Sequence, residues 1–381
     1  MYTIIGAGIG GLTTALAFEK LGIEYQLFER EPELFDIGAG ILLSPNALQV
    51  FEWLGILDDV KSSGNYIDRI TLSKPNLSPL FDNSQDDVKT KFGYYSIAIH
   101  RAKLQKLLIK NVPEQKIHLN KSFERFVINR DKVKTIFQDE TEYESNFLIG
   151  ADGINSRVRK QLFPKSKIRY SGQTCWRGIS NLRLDNAYKH RGMEIWGNQI
   201  RFGFTQIAVG RTYWFAVSLS KPNQKDSSNI KNELLKSYRS FHPLVNKLIS
   251  STDNNDIIRN DINDLILLNK WSENNICLIG DAAHATTPNM GQGGAQAIED
   301  AYYLSNLINE NLNQNVFQLF QNKRMKKVSS IVKRSWLIGK IAHLKYAQNI
   351  RNYFFKNIPQ SSIKKKIIEV FDIDKFPKSS S

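Results

Sequence analysis

Two kinds of residue in this sequence are placed to do chemistry: glycines bunched together, and single carboxylates close beside them. Gly6-Ala7-Gly8-Ile9-Gly10-Gly11 has G-x-G-x-x-G spacing, and Glu29 follows about twenty residues on. In such a loop Gly6 permits a tight turn, Gly8 lets a pyrophosphate approach the backbone, and Gly11 lets helix and strand pack closely. An acid at the position of Glu29 hydrogen-bonds an adenosine ribose, and Arg30 beside it is grouped with the same site. A second group is Gly150-Ala151-Asp152-Gly153 with Ser156 and Arg159. Alone, it reads equally as a ligand site or as a turn in which Asp152 or Ser156 caps a helix. The third is Gly280-Asp281-Ala282-Ala283-His284, running on to Pro288 and Gly291-Gln292-Gly293-Gly294. Glycine at the head of a helix exposes N–H groups that favour negative charge. His284 fits a hydrogen-bonded structural histidine better than a general base, and zinc would need more ligands at metal spacing, so no metal site is expected.

Elements of alternating type must position these groups. Tyr2–Ile5 is a short β-type run, Leu12, Ala15, Leu16 and Leu21 mark a helix closed by Gly22, and Tyr25–Phe28 reads as a second buried strand. Buried strands also precede Asp152 and Asp281. Between these two signals the pattern changes. Arg201–Thr205 and Thr212–Val217, with Gly210 at the turn, read as antiparallel strands. Beyond Ser305 the chain is helical, with Trp336, Leu337 and Ile341 assigned to an apolar stripe. Short helices are expected from Asn349 to Phe371, and a frayed tail from Lys375.

Composition removes other classes. With 41% hydrophobic and 23% charged residues the chain is ordinary globular material. No apolar run is long enough to span a bilayer, and the chain opens on its glycine loop without a signal-like segment, so a soluble, cytoplasmic protein is expected. Two cysteines, Cys175 and Cys277, supply no disulfide framework. The formal charge of +15 could mark a nucleic-acid binder. The lysines are read as spread out, however, and the Lys364–Lys366 run as a solvated helix face. Neither nucleic-acid nor membrane contact is expected. P-loop, G-x-S-x-G and H-E-x-x-H patterns are absent.

Taken in order, the three signals resemble those of the single-component FAD-dependent aromatic hydroxylases, the group A flavoprotein monooxygenases with the p-hydroxybenzoate hydroxylase fold. The resemblance runs from Tyr2 to about Tyr303. It implies that Gly6, Gly8 and Gly11 bind the dinucleotide, that the Asp152 motif serves FAD and NAD(P)H, and that Asp281 holds the ribityl chain. Gly38-Ala39-Gly40-Ile41 is similar to the segment passing the flavin ring, and Arg101 to the helix-start arginine that reaches FAD. Gly291, Gly293 and Gly294 match the segment after the Gly-Asp motif. Tyr170–Gly178 and Thr286–Asn289 are similar to the branch with urate, hydroxybenzoate and salicylate hydroxylases and zeaxanthin epoxidase. There, residues matching Arg201 and Tyr213 face the substrate, and Pro288 is grouped with them as catalytic.

The implied fold is α/β: a Rossmann-like FAD-binding domain (1–72, 98–165 and 266–345), an inserted antiparallel substrate-binding sheet (73–97 and 166–265), and a C-terminal helical segment and tail (346–381). The implied activity is NAD(P)H-consuming insertion of one oxygen atom from O2 into a small aromatic or heteroaromatic ring through a flavin C4a-hydroperoxide, by a monomer or homodimer. The alternative is a flavin-dependent epoxidase or reductase of a lipophilic substrate on the same fold.

Overall fold

A computed structural model describes residues 1–33, 39–310 and 315–376. Gly38 and the end of the expected tail, from residue 377, lie outside these residues.

The first strand sets the architecture. Tyr2–Ile5 is wholly buried and pairs in parallel on one side with Tyr25–Phe28 and on the other with Phe147–Gly150. Ile117–His118 and Ile276–Leu278 extend the parallel sheet, and Ser272–Glu273 closes one edge antiparallel. Strands covered on both faces need continuous apolar runs, as these have. Ile5 is level with both Phe28 and Gly150, so the chain leaves the sheet at one edge in three adjacent turns, at Gly6, Ala151 and Ile279. Ligands of open parallel sheets bind beyond this carboxyl edge.

The helix Ile9–Leu21 is buried along most of its length between the sheet and the helix Gly293–Glu310. The two helices approach closely because Gly10 and Gly280 lack side chains: a Cβ at either would stand 3.3 or 3.0 Å from the Ala297 Cβ. Leu12, Phe18, Leu148, Leu278 and Ile298 are fully enclosed around this contact, each contributing roughly 1.5–3 kcal/mol of burial.

The second layer is a seven-stranded sheet ordered Ile258–Leu265, Ile168–Ser180, Arg211–Leu219, Ile200–Ala208, Arg191–Trp196, Arg69–Ser73 and Pro79–Ser84. It is antiparallel except where Arg191–Trp196 meets Arg69–Ser73 in parallel. Arg69–Ser73 thus crosses the limit drawn at 72 while lying wholly in this sheet. Strand alternation divides its aromatic residues. Phe202, Phe204 and Trp214 pack with the helices Ile230–Ser237 and Pro243–Ser250, whereas Arg177, Arg201, Thr205, Tyr213 and Phe215 occupy the other face. That face meets the nucleotide-binding half.

Helix Val316–Ala342 spans both halves, followed by Gln348–Asn357 and Gln360–Phe371. Leu337 does not join an apolar stripe here. It is 55% exposed, because neighbouring residues on a helix point about 100° apart. The buried side instead carries Phe320, Val328, Ile331, Ser335 and Gly339.

Candidate functional site

Three turns and one sheet face make the site. Gly6 holds a backbone φ of +104°, and a Cβ there would lie 2.6 Å from the Ala151 carbonyl oxygen, so only glycine lets the first two turns meet. A Cβ on Gly11 would strike the Gly6 carbonyl at 1.9 Å. Around Gly8 no protein atom lies within 4 Å of such a Cβ. The three positions therefore divide their work as the spacing predicts: turn, open approach and close packing. The loop is clamped at Ala7, whose N–H donates to Glu29 Oε2 at 2.6 Å and whose carbonyl accepts from Gln105 Nε2 at 3.0 Å. Glu29 also accepts from the Glu31 N–H at 3.1 Å, and a carboxylate has about four acceptor sites, which leaves capacity for a ribose hydroxyl. Arg30 is exposed and paired with Glu31 at 3.0 Å.

Asp152 does cap a helix: Oδ2 accepts the N–H groups of Arg157 and Val158 at 2.7 and 3.2 Å, while Ser156 Oγ takes that of Arg159. Its Oδ1 is buried and without a protein partner, and burial holds the carboxyl above its ordinary range. Buried Arg159 joins this turn to the next, donating to the carbonyls of Ile154 and Ala282 at 2.5 and 3.0 Å.

Asp281 follows Gly280 at the mouth of the third turn. Its side chain reaches solvent, yet protein crowds it, and lost hydration pushes its carboxyl up against the opposing pull of His284, Arg101 and Arg159. Arg101 opens the helix Arg101–Lys110, with its N–H on the Ala39 carbonyl at 2.9 Å. Gly293 leaves the Asp281 Oδ1 3.9 Å from where a Cβ would stand, and Gly294 packs on Ile41. Glycine loop, orphaned Asp152 oxygen, accessible Asp281 and open helix start together fit an adenine dinucleotide running from Gly8 towards Gly294. Pro288 is exposed on the short turn Pro288–Met290 just ahead.

Beneath the third turn lies a buried polar cluster that sequence reasoning assembled only in part. Asp300 accepts the Gly280 N–H at 2.9 Å, shares a 2.5 Å hydrogen bond with His284 Nε2, and accepts Arg324 Nε at 2.9 Å. His284 is thus held by hydrogen bonding, as its setting suggested. Arg324 also pairs with Glu299, which receives Lys327 and Asn46. Burial raises the Asp300 pKa, but His284, Arg324 and the Gly280 N–H outweigh it and hold the carboxyl below its ordinary value.

The sheet face supplies the opposite wall. Gly40 presses against Tyr213, with a Cβ there only 2.4 Å from the ring. The Phe215 ring lies across Gly203, 6.4 Å from that of Tyr213. Arg201 and Tyr213 share this face but are not brought together. Arg201 pairs with Val217, and Thr205 with Tyr213, which separates them by roughly 13 Å along the strands. The Arg201 guanidinium is buried on Glu194 at 3.1 Å, Gln173 at 3.4 Å and Asn289. Tyr213 lies beside Arg177 instead: burial pushes the phenol up and the Arg177 charge pulls it back. Arg177 bonds Asn260 at 2.8 Å, and no carboxylate among the described residues is in ion-pair contact with it. Sequence reading quoted Arg177 and Asn289 without giving either a task. Their positions depend on strand register.

The family model described as an FAD binding domain matches residues 2–335. The chain is 34% identical over 339 residues to the aurachin C monooxygenase/isomerase of Stigmatella aurantiaca, covering 89% of this chain and 88% of that protein. It is 32% identical over 367 residues to the 2-heptyl-3-hydroxy-4(1H)-quinolone synthase of Pseudomonas aeruginosa, covering 94% of each. Klebsiella pneumoniae HpxO, solved with FAD and uric acid, superposes with a TM-score of 0.89 over 97% of this chain and 96% of that one, at 24% identity. With its glycine loop, acids and sheet face arranged for flavin chemistry, the chain belongs to the FAD binding domain family and is an FAD-dependent monooxygenase of that group.

Proposed function

We propose that this protein uses NAD(P)H and O2 to insert one oxygen atom into a carbonyl-bearing heteroaromatic ring, of the 4-quinolone class that the name of the Pseudomonas relative contains. The observation that carries the reading is the division of labour between two arginines. Glu194 and Asn289 take up Arg201, so Arg201 acts as a positioning residue that steadies the turn bearing Pro288. Arg177 and Tyr213 remain as the donor pair. A guanidinium and a phenol together hold a ring oxygen and stabilise negative charge on it, which directs electron density to the neighbouring ring carbon. Phe215 and Tyr213 give the flat apolar wall, and exclusion of water by that wall limits wasteful release of peroxide.

Bound FAD supplies the electron transfer and oxygen activation. Gly6, Gly8, Gly11, Glu29, Arg101, Asp152 and Asp281 would hold it, with the N–H groups at Gly293 and Gly294 facing the negative charge of its reduced ring. A 2-alkyl-4-quinolone should stimulate NAD(P)H oxidation and gain one 18O atom from labelled O2, and Arg177→Met should lower kcat/KM by roughly ten- to a hundredfold with FAD content unchanged. Stimulation by urate or salicylate but not by the quinolone would overturn the substrate class. Absence of label in any product would overturn oxygen insertion.

A further inference from the structure

The charge of this chain is concentrated. Between Glu310 and Glu369 the sequence holds thirteen Lys and Arg and no Asp or Glu. Part of that charge is spent internally, since Arg324 and Lys327 meet Glu299, Lys323 meets Asp374 and Lys364 meets Asp87. What remains collects around one helix. In Gln348–Asn357 the inward side is fixed by Arg351, buried with its guanidinium 5.0 Å from the Trp196 ring, and by Phe355, which packs edge-on to the same ring. The outward side carries Ile350, Tyr353 and Phe354, which are 59%, 68% and 64% exposed, with Tyr346 just ahead at 75%. Spacings of three and four residues put these side chains on one stripe. Lys345 and Lys356 flank the stripe in the open. On the preceding helix Lys333, Leu337 and Lys340 continue the same mixture at spacings of four and three, also exposed.

We propose that this face, from Leu337 to Lys356, seats the protein on an anionic lipid surface. Aromatic and branched side chains at one level, ringed by lysines with no acid among them, match the interface of a bilayer, where apolar groups enter the acyl boundary and ammonium groups meet headgroup phosphates. A nucleic acid would use the lysines but leave Ile350, Tyr353 and Phe354 in water. A contact at Lys364–Ile368 is disfavoured, because Lys364 is paired and Ile367 packs against the Val88 and Phe371 cluster. The helix also walls a cavity of about 350 Å³ that reaches Trp196, whose indole N–H is bonded to Glu194. The lipid-facing element and the Arg201 setting are therefore neighbours. The proposal does not depend on the substrate class.

Flotation of the FAD-loaded full chain with vesicles tests it. Protein should float with mixed phosphatidylcholine and phosphatidylglycerol vesicles and not with phosphatidylcholine alone. The triple variant Ile350→Ser, Tyr353→Ser, Phe354→Ser should bind the mixed vesicles at least about tenfold more weakly, with FAD absorbance reporting intact folding. Lys345→Gln with Lys356→Gln should weaken binding and flatten its salt dependence. Failure of the wild-type protein to float with the mixed vesicles, or equal flotation of the triple variant, overturns the proposal. So does displacement from vesicles by duplex DNA whose own binding the triple variant retains, which would make the face a nucleic-acid surface.

Discussion

Replacing Asp300 by asparagine should separate the flavin site from its support. Three donors converge on this carboxylate: the Gly280 N–H and His284 on Oδ2, and Arg324 Nε on Oδ1. Asparagine keeps the shape but offers one oxygen and one NH2. If its oxygen serves Gly280, the NH2 faces Arg324; if it is turned, the NH2 faces Gly280. Either way donors oppose donors in a dry interior, and Arg324 loses one of two counter-charges. Breaking one partner of a buried ion pair costs about 3–5 kcal/mol. At roughly 2.1 cal/mol/K of unfolding entropy per residue, a 381-residue chain has roughly 0.8 kcal/mol/K, so Tm should fall by about 4–6 °C. Release of FAD fluorescence should begin at lower temperature than loss of helical circular dichroism, because the Gly280 turn carries Asp281. The pH response has a definite sign. The folded pKa of Asp300 lies below its unfolded value of about 3.9. Its contribution is therefore complete above that value and is lost as pH falls through the folded pKa. The wild-type protein should lose stability in acid more steeply than Asp300→Asn. A variant with Tm within about 1 °C of wild type and normal flavin content would refute the reasoning.

Two further changes probe the cofactor and the wall. Asp281→Ala should shed most of its FAD on gel filtration, since unpaired cofactor hydroxyls cost about 1–3 kcal/mol; full retention would remove Asp281 from the flavin site. Gly40→Ala would place a Cβ 2.4 Å from the Tyr213 ring. It should cost about 1–3 kcal/mol through overpacking, and most of that loss should vanish in a Tyr213→Ala background when the two Tm changes are compared. Additive changes would show that strand and ring are not in conflict.

How much of this was legible in the sequence depended on the range of the interactions. Strand, glycine loop, helix, second strand and acid lie within the first thirty residues, and each glycine there answers a steric demand set by nearby backbone. His284 could be read as hydrogen-bonded, but Asp300, sixteen residues on, was not singled out as its partner. A carboxylate on the apolar side of a helix four turns later is the signal that would have found it. The pairing of Asn46 with Glu299 spans 253 residues and leaves no local trace. Arg201 and Arg177 differ for a subtler reason. Both point to the same face, and residue type alone makes Arg201 as good a substrate ligand as Arg177. Only register, with Trp196 opposite Arg201 and Glu194 one pair on, shows that a carboxylate two residues from Trp196 reaches Arg201 first. Charge was obscured by averaging. A net +15 over the whole chain suggests lysines scattered for solubility, and the Lys364–Lys366 run draws the eye because it is contiguous. On a helix contiguous residues diverge, whereas Lys333 and Lys340 seven apart, or Ile350 and Phe354 four apart, share a side. A surface able to meet another body is written at those spacings, and it becomes visible once the acid-free stretch is read helix by helix.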